Sequence, residues 1–255
     1  MQQSDTMTRM LNKVPEVTLF FWIVKIMATT VGETAADFLS FDLKLGLTNT
    51  SYVMGGLLVA TLLMQLRARQ YIPSLYWINV VLISIVGTLI TDNLVDNFGV
   101  SLKVTTALFS LALVATFVAW YAREKTLSIH TIFTTRRELF YWAAILFTFA
   151  LGTAAGDLTA EGLALGYAKS AVLFGGMIAV TTLAYYRFKL DAVLAFWLAY
   201  ILTRPLGASL GDLLAQPAVN GGLGLGTVVT SAIFLTSILG WVTYTSYRQS
   251  AHVEE

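Results

Sequence analysis

The stretch Trp142-Ala-Ala-Ile-Leu-Phe-Thr-Phe-Ala-Leu-Gly152-Thr-Ala-Ala-Gly-Asp157 decides how this chain folds, because its spacing occurs four times. Trp22, Gly32 and Asp37 stand ten and then five residues apart, as do Trp77, Gly87 and Asp92, and Trp197, Gly207 and Asp212. The chain around the motif is apolar: 56% of its residues are hydrophobic and 12% charged, with a mean hydropathy of +0.71. Soluble domains carry about 25% charged residues. Half that content, spread between long apolar runs, predicts a polytopic membrane protein. Eight runs, over about 15–39, 50–66, 73–94, 101–122, 138–158, 167–186, 191–214 and 227–247, fit the roughly 17–25 residues a spanning helix needs.

The repeat is nested. An offset of 120 residues carries Trp22 to Trp142, Trp77 to Trp197, Asp37 to Asp157 and Asp92 to Asp212, and in the even runs Gly46 to Gly166 and Gly55-Gly56 to Gly175-Gly176. Spacing kept this closely marks duplication. The expectation is all-α and integral to the membrane: eight transmembrane helices as four parallel two-helix repeats. The chain divides into a tail (1–13), a first four-helix half (14–122), a linker (123–137), a second half (138–247) and a tail (248–255). A two-helix unit crosses an even number of times, so all four copies point the same way, the parallel-repeat case. Eleven of the sixteen basic residues fall in the N-terminal tail, the links after the second, fourth and sixth runs, and the C-terminus. The positive-inside rule then places both termini in the cytoplasm. The first run contains Lys25 and Glu33 and lacks a small-residue cleavage signature, so it reads as a retained helix and not a signal peptide.

Several chemistries drop out at once. There is no Cys, so disulfides, thiolate metal sites and Cys nucleophiles are excluded. A net charge of +1 with no basic, aromatic-interleaved patch gives no reason to expect nucleic acid. Gly156-Asp157 and Gly211-Asp212 touch on an intramembrane aspartyl protease, but Ala154 and Ser209 stand where that motif needs Gly, and no Tyr-Asp partner exists. Asn220-Gly-Gly-Leu-Gly-Leu-Gly226 lacks the Lys-Ser/Thr ending of a phosphate loop and reads as a link. The chain is not expected to be an enzyme or to hold a resident cofactor.

The aspartates carry the functional reading. Each lies fifteen residues after its Trp, about 22 Å along a helix at about 1.5 Å per residue, so the four share one depth. A charge at such a position by default faces a protein interior or a wet cavity. Each Asp has a polar residue four positions away: Glu33 with Asp37, Asp92 with Asp96, Asp157 with Glu161, and Asp212 with Gln216. Residues four apart share a helix face where the helix continues. Clustered oxygens suit protons and hard cations, and His130 and His252 fall in the linker and tail, against a His-based zinc site. Carboxylates this close do not ionise independently. The metal set is Asp37, Asp92, Asp157, Asp212 and Glu33; the wider substrate set adds Glu161, Asp96, Lys25 and Arg204. The structural alternative is that each Asp caps its own local backbone.

Lys25 and Arg204 are the two cations well inside the runs, each unique to its quarter. They neutralise carboxylates in one state or bind an anionic group; the alternative is a fixed internal ion pair. Lys25, Thr29 and Glu33 share a face, and Pro205 beside Arg204 is expected to kink or break the seventh helix. The motif glycines and the Gly55-Gly56 and Gly175-Gly176 pairs are read as close helix contacts. The four Trp are read as interfacial anchors. Lys44, Lys103 and Lys169 are read as outer interfacial residues, with salt bridges open to Lys103 and Lys169.

Lys13-Val-Pro-Glu-Val17, Gly32-Glu-Thr-Ala-Ala-Asp37, Gly156-Asp-Leu-Thr-Ala-Glu-Gly162 and Gly221-Gly-Leu-Gly-Leu-Gly226 resemble a bacterial group of membrane-anchored proteins built from a repeat of unknown function. The resemblance covers nearly the whole chain. It implies a multi-pass bacterial inner-membrane protein and transfers no catalytic residue. Thr88, Thr153 and Ala208 stand where the first quarter has Glu33, so the quarters are not equivalent there. The leading expectation is a transporter of a small cation, a hard divalent metal or a proton-coupled ion, with the bilayer as its surroundings and self-association open. The alternatives are a carrier of an anionic or zwitterionic solute held by Lys25 and Arg204, and a non-transporting scaffold or sensor.

Overall fold

The computed structural model describes residues 12–251, with side chains through 245. Eight long helices follow one another among these residues: α1 Leu19–Asp37, α2 Leu47–Arg67, α3 Pro73–Asp92, α4 Leu102–Glu124, α5 Thr135–Asp157, α6 Tyr167–Phe188, α7 Ala192–Ala215 and α8 Thr227–Ala251. Each is long and apolar enough to cross a membrane. Thr18 starts α1 by accepting from the Phe21 N–H at 3.4 Å, so the helix begins a turn later than Pro15 and Glu16 suggest. The expected end of α8 near Tyr247 gives way to Ala251, and His252 lies outside the described residues.

Where do eight apolar helices bury themselves? The odd helices form an inner ring, α1 beside α3, α3 beside α5, α5 beside α7, and α7 back beside α1. In the most apolar stretch of each inner helix 61% is buried, against 17–22% in the outer helices. The motif glycines make the ring possible. A Cβ on Gly32 would collide with Ser84, one on Gly87 with Phe149 and Ala150, one on Gly152 with Arg204 and Pro205, and one on Gly207 with Thr29. The nearest of these, Ser84, Phe149, Arg204 and Thr29, each sit three residues before the motif Gly of their own helix. Equivalent positions thus meet at equal height all the way round, so the four inner helices are parallel. Small residues at such crossings let backbones approach closely.

The outer helices do not pack chiefly on the inner helix of their own repeat. α2 packs on α3, α4 on α5, α6 on α7, and α8 on α1. Each outer helix therefore leans on the inner helix of the next repeat. The outer face of α1 is already taken by α8, through Phe20 stacked on Trp241 at 4.2 Å and Thr34 Oγ1 beside Ser231 Oγ at 2.7 Å. α2 must then pass on to α3, and the shift repeats around the ring. The chain has no native Cys, which permits a direct check. In a Thr34→Cys, Ser231→Cys variant with a protease site inserted in the 123–134 link, a disulfide is expected to keep the two halves together on a non-reducing gel after cleavage. Separate halves would refute the ring closure.

Other expectations change too. Trp77, Trp142 and Trp197 are only 4–5% exposed, so they are not interfacial anchors. Every motif Trp follows another aromatic residue, and the eight rings close a girdle: Phe21, Trp77, Tyr76, Trp142, Tyr141, Trp197, Phe196, Trp22 and back to Phe21, with successive centroids 5.2–6.3 Å apart. Those spacings suit edge-on and offset aromatic pairing. The girdle fills the N-terminal end of the ring, and the Tyr76 and Tyr141 hydroxyls meet there at 2.6 Å. A Cβ added at Gly55, Gly56, Gly175 or Gly176 would meet no atom within 4 Å; these glycines face outward and bring no helices together within the chain. α7 runs unbroken through Pro205. The Tyr200 carbonyl nearby accepts from Lys25 Nζ (3.0 Å) and Thr203 Oγ1 (2.8 Å), and the Thr203 carbonyl accepts from Thr29 Oγ1 (3.3 Å).

Candidate functional site

Counting back from each motif Asp in steps of four residues gives the layers that face the ring axis. Nearest the girdle lie Lys25, Val80, Ile145 and Tyr200; then Thr29, Ser84, Phe149 and Arg204; then Glu33, Thr88, Thr153 and Ala208; then the four aspartates. The axis is therefore polar along its length, and its polarity grows toward the aspartates.

Glu33 stands in the third layer, and the Arg204 guanidinium reaches it from the layer below. Both side chains are buried, Arg204 completely, and Nη2 donates to Glu33 Oε2 at 2.9 Å. The same nitrogen donates to Thr153 Oγ1 at 2.7 Å and to Thr88 Oγ1. The residues that replace Glu33 in the second and third quarters are thus not idle departures from the repeat. They hold the guanidinium that Glu33 neutralises. Charge-assisted bonds of this kind are roughly twice as strong as neutral ones.

Carboxylates crowd above this pair. One oxygen from each of Glu33, Asp157 and Asp212 lies within 4.8 Å of the others, although the three residues sit on α1, α5 and α7. Asp37 and Asp92 stand around this trio, outside its tightest set, and Glu33 lies within electrostatic reach of all four aspartates. Glu33 and Asp212 are buried, Asp37, Asp92 and Asp157 half-buried, and Asp96 and Glu161 exposed. Asp96 and Glu161 form a rim with Asp42, all within electrostatic reach of Asp37. The capping alternative finds no support at Asp37, Asp92 or Asp157, none of which bonds the N–H groups of the turn that follows.

Three inner helices continue past the motif Asp as a π-helical turn, Phe38–Asp42, Asn93–Asn97 and Leu158–Gly162. π turns are rare and recur at functional sites. Here they carry Asp96 and Glu161 outward to the rim while Glu33, a full α turn below Asp37, stays on the axis. The companion residues therefore separate into one floor acid and two rim acids. α7 has no such turn, because Pro217 forces Gln216 into an extended backbone (ψ 147°). Gln216 Nε2 reaches Asp37 Oδ2 at 3.5 Å, and Tyr167 donates to Glu161 at 3.0 Å. All four inner helices also present their C-terminal ends to this side, and each such end carries about half a negative charge.

Lys25 lies one layer below Arg204 and fully buried. Its ammonium donates to Thr203 Oγ1 at 2.5 Å and sits 3.8 Å from the Tyr200 ring centroid. Among the described residues it has no ion-pair partner, and neither do Lys103 and Lys169. Sequence reading set Thr29 on the face of Lys25 and Glu33 but missed Ser84, Thr88, Thr153, Tyr76 and Tyr141 as axial residues. The four-residue step back from each Asp is the signal that finds them.

Comparison with protein families matches four consecutive copies of one model, described as Repeat of Unknown Function (DUF347), over residues 20–71, 75–126, 140–191 and 195–250. None of the curated proteins and none of the solved structures matches the chain. Each matched copy spans one inner helix and the outer helix that follows it in sequence, so the family's unit coincides with the Trp–Gly–Asp repeat. The chain belongs to the DUF347 repeat family.

Proposed function

We propose that the protein transports a small, hard cation across a bacterial inner membrane, binding it between Glu33, Asp157 and Asp212, with Asp37 and Asp92 completing the ring. The supporting observation is that carboxylate oxygens from three separate inner helices lie within 4.8 Å of one another. An all-oxygen donor set suits magnesium, manganese, calcium or a proton-coupled ion, and disfavours soft metals. Asp42, Asp96 and Glu161 at the rim would draw cations toward the ring, as like-signed clefts focus the field. With both termini cytoplasmic, the aspartate end opens outward and the aromatic girdle closes the inner end. The ion is cargo in this reading, and no catalytic step belongs to it.

Purified protein in liposomes is expected to carry manganese ions, with flux lost in Asp157→Asn and retained in Lys25→Met. The reverse pattern would favour the second reading, a carrier of an anionic or zwitterionic solute. The observation behind that reading is the buried Lys25 ammonium with no ion-pair partner among the described residues. Absence of flux for every solute would leave a scaffold or sensor.

A further inference from the structure

Arg204 ought to be a liability in a cation site, since its guanidinium occupies the deepest acid. Its hydrogen bonding is lopsided. One nitrogen, Nη2, holds Glu33, Thr88 and Thr153. The other two, Nε and Nη1, have no protein partner among the described residues, although the side chain is fully buried. Buried polar groups are normally paired, and a guanidinium offers five N–H donors in a fixed fork. A fixed structural ion pair would engage that fork from more than one side. Here the charged head hangs on Glu33 by a single nitrogen, its stem wedged against Gly152.

The surroundings push the head toward Glu33. Lys25 lies below it, within electrostatic reach and, among the described residues, without a carboxylate of its own. Above it stand Asp157 and Asp212, whose oxygens share the 4.8 Å cluster with Glu33. An ion seated among those three oxygens would take the position and the charge that Arg204 now supplies to Glu33.

We propose that Arg204 is a tethered stand-in for the ion: its guanidinium neutralises Glu33 while the site is empty and competes with the incoming cation for that carboxylate. This inference rests on the cation reading of the same site and adds a second occupant to it. Binding then requires the guanidinium to release Glu33, and ion release lets it return. The empty site never holds three uncompensated carboxylates, so the protein tolerates the empty state that a carrier must pass through. The threonines Thr88 and Thr153 set how firmly the stand-in is held.

The test is manganese affinity in purified full-length protein, measured for the wild type, Arg204→Gln, a Thr88→Val/Thr153→Val pair and Asp157→Asn. Removing a positive charge about 4 Å from the ion is expected to tighten binding about tenfold or more in Arg204→Gln. The threonine pair changes no charge and is expected to tighten binding about threefold, by loosening the guanidinium. Unchanged or weaker binding in Arg204→Gln, with binding still lost in Asp157→Asn, overturns the stand-in and leaves the cation site intact. Should Arg204→Gln not yield monodisperse protein, the threonine pair decides: unchanged or weaker binding there overturns the proposal. Wild-type binding that is absent, or insensitive to Asp157→Asn, refutes both the site and the stand-in.

Discussion

Gly152→Leu will abolish the folded ring, whereas Gly176→Leu will leave it intact. A Cβ at Gly152 already collides with Arg204 and Pro205 on the neighbouring inner helix, and a leucine adds three carbons beyond it. The obstacle includes a proline ring and the wedged stem of a fully buried arginine, neither of which can step aside. Overpacking a tight core costs about 1–3 kcal/mol, and parting two inner helices would also break the Arg204–Glu33 pair. Disrupting a buried pair adds about 3–5 kcal/mol. The sum is comparable with the whole stability of a typical domain, about 5–15 kcal/mol. Gly176 has nothing within 4 Å of its Cβ position, so a change there stays within about 0.5 kcal/mol apart from a gain in helix propensity. Thermal unfolding in detergent, with size-exclusion profiles, separates the two: Gly152→Leu is expected to be aggregated or absent and Gly176→Leu to match the wild type. Equal behaviour would mean that the inner ring is loosely packed.

The second large effect concerns the trio. Asp212→Asn and Asp157→Asn each replace a carboxylate oxygen donor by an amide in a cluster spread over 4.8 Å and leave the side-chain volume unchanged. Each is expected to weaken cation binding by about a hundredfold, roughly 2.7 kcal/mol. Asp96→Asn serves as the contrast. Asp96 is exposed at the rim, where salt screens its charge and its influence falls on the rate of arrival. Its affinity is expected to change by less than about threefold at physiological ionic strength.

Much of this architecture was legible in the Trp–Gly–Asp spacing. That spacing set the number of repeats, the eight long helices and the shared depth of Asp37, Asp92, Asp157 and Asp212. Spacing along a helix reports height, however, and not direction around an axis. The order of the inner ring and the shift of each outer helix onto the next repeat were therefore hidden. The same limit explains the tryptophans. A Trp near the end of an apolar run is equally consistent with an interfacial anchor and with an inward seal, and only the aromatic residue before each one (Phe21, Tyr76, Tyr141, Phe196) hinted at the seal. Gly55-Gly56 and Gly152 look alike in sequence, and their different neighbours separate them in space. The Glu33–Arg204 pair was the least visible element. Its members come from opposite ends of the chain, each is unique to its quarter, and repetition cannot flag what occurs once. Thr88 and Thr153, which weaken the repeat when read as missing acids, gain their meaning only beside Arg204.

Equilibrium binding of manganese to the purified protein, followed by electron paramagnetic resonance, tests the central claim most directly, because free and bound ions give different signals. Convergent carboxylates on one axis predict a single saturable ion per chain, lost in Asp157→Asn and in Asp212→Asn and kept in Asp96→Asn. Several weak ions per chain, all equally sensitive to Asp96→Asn, would contradict it and return the aspartates to a general surface charge.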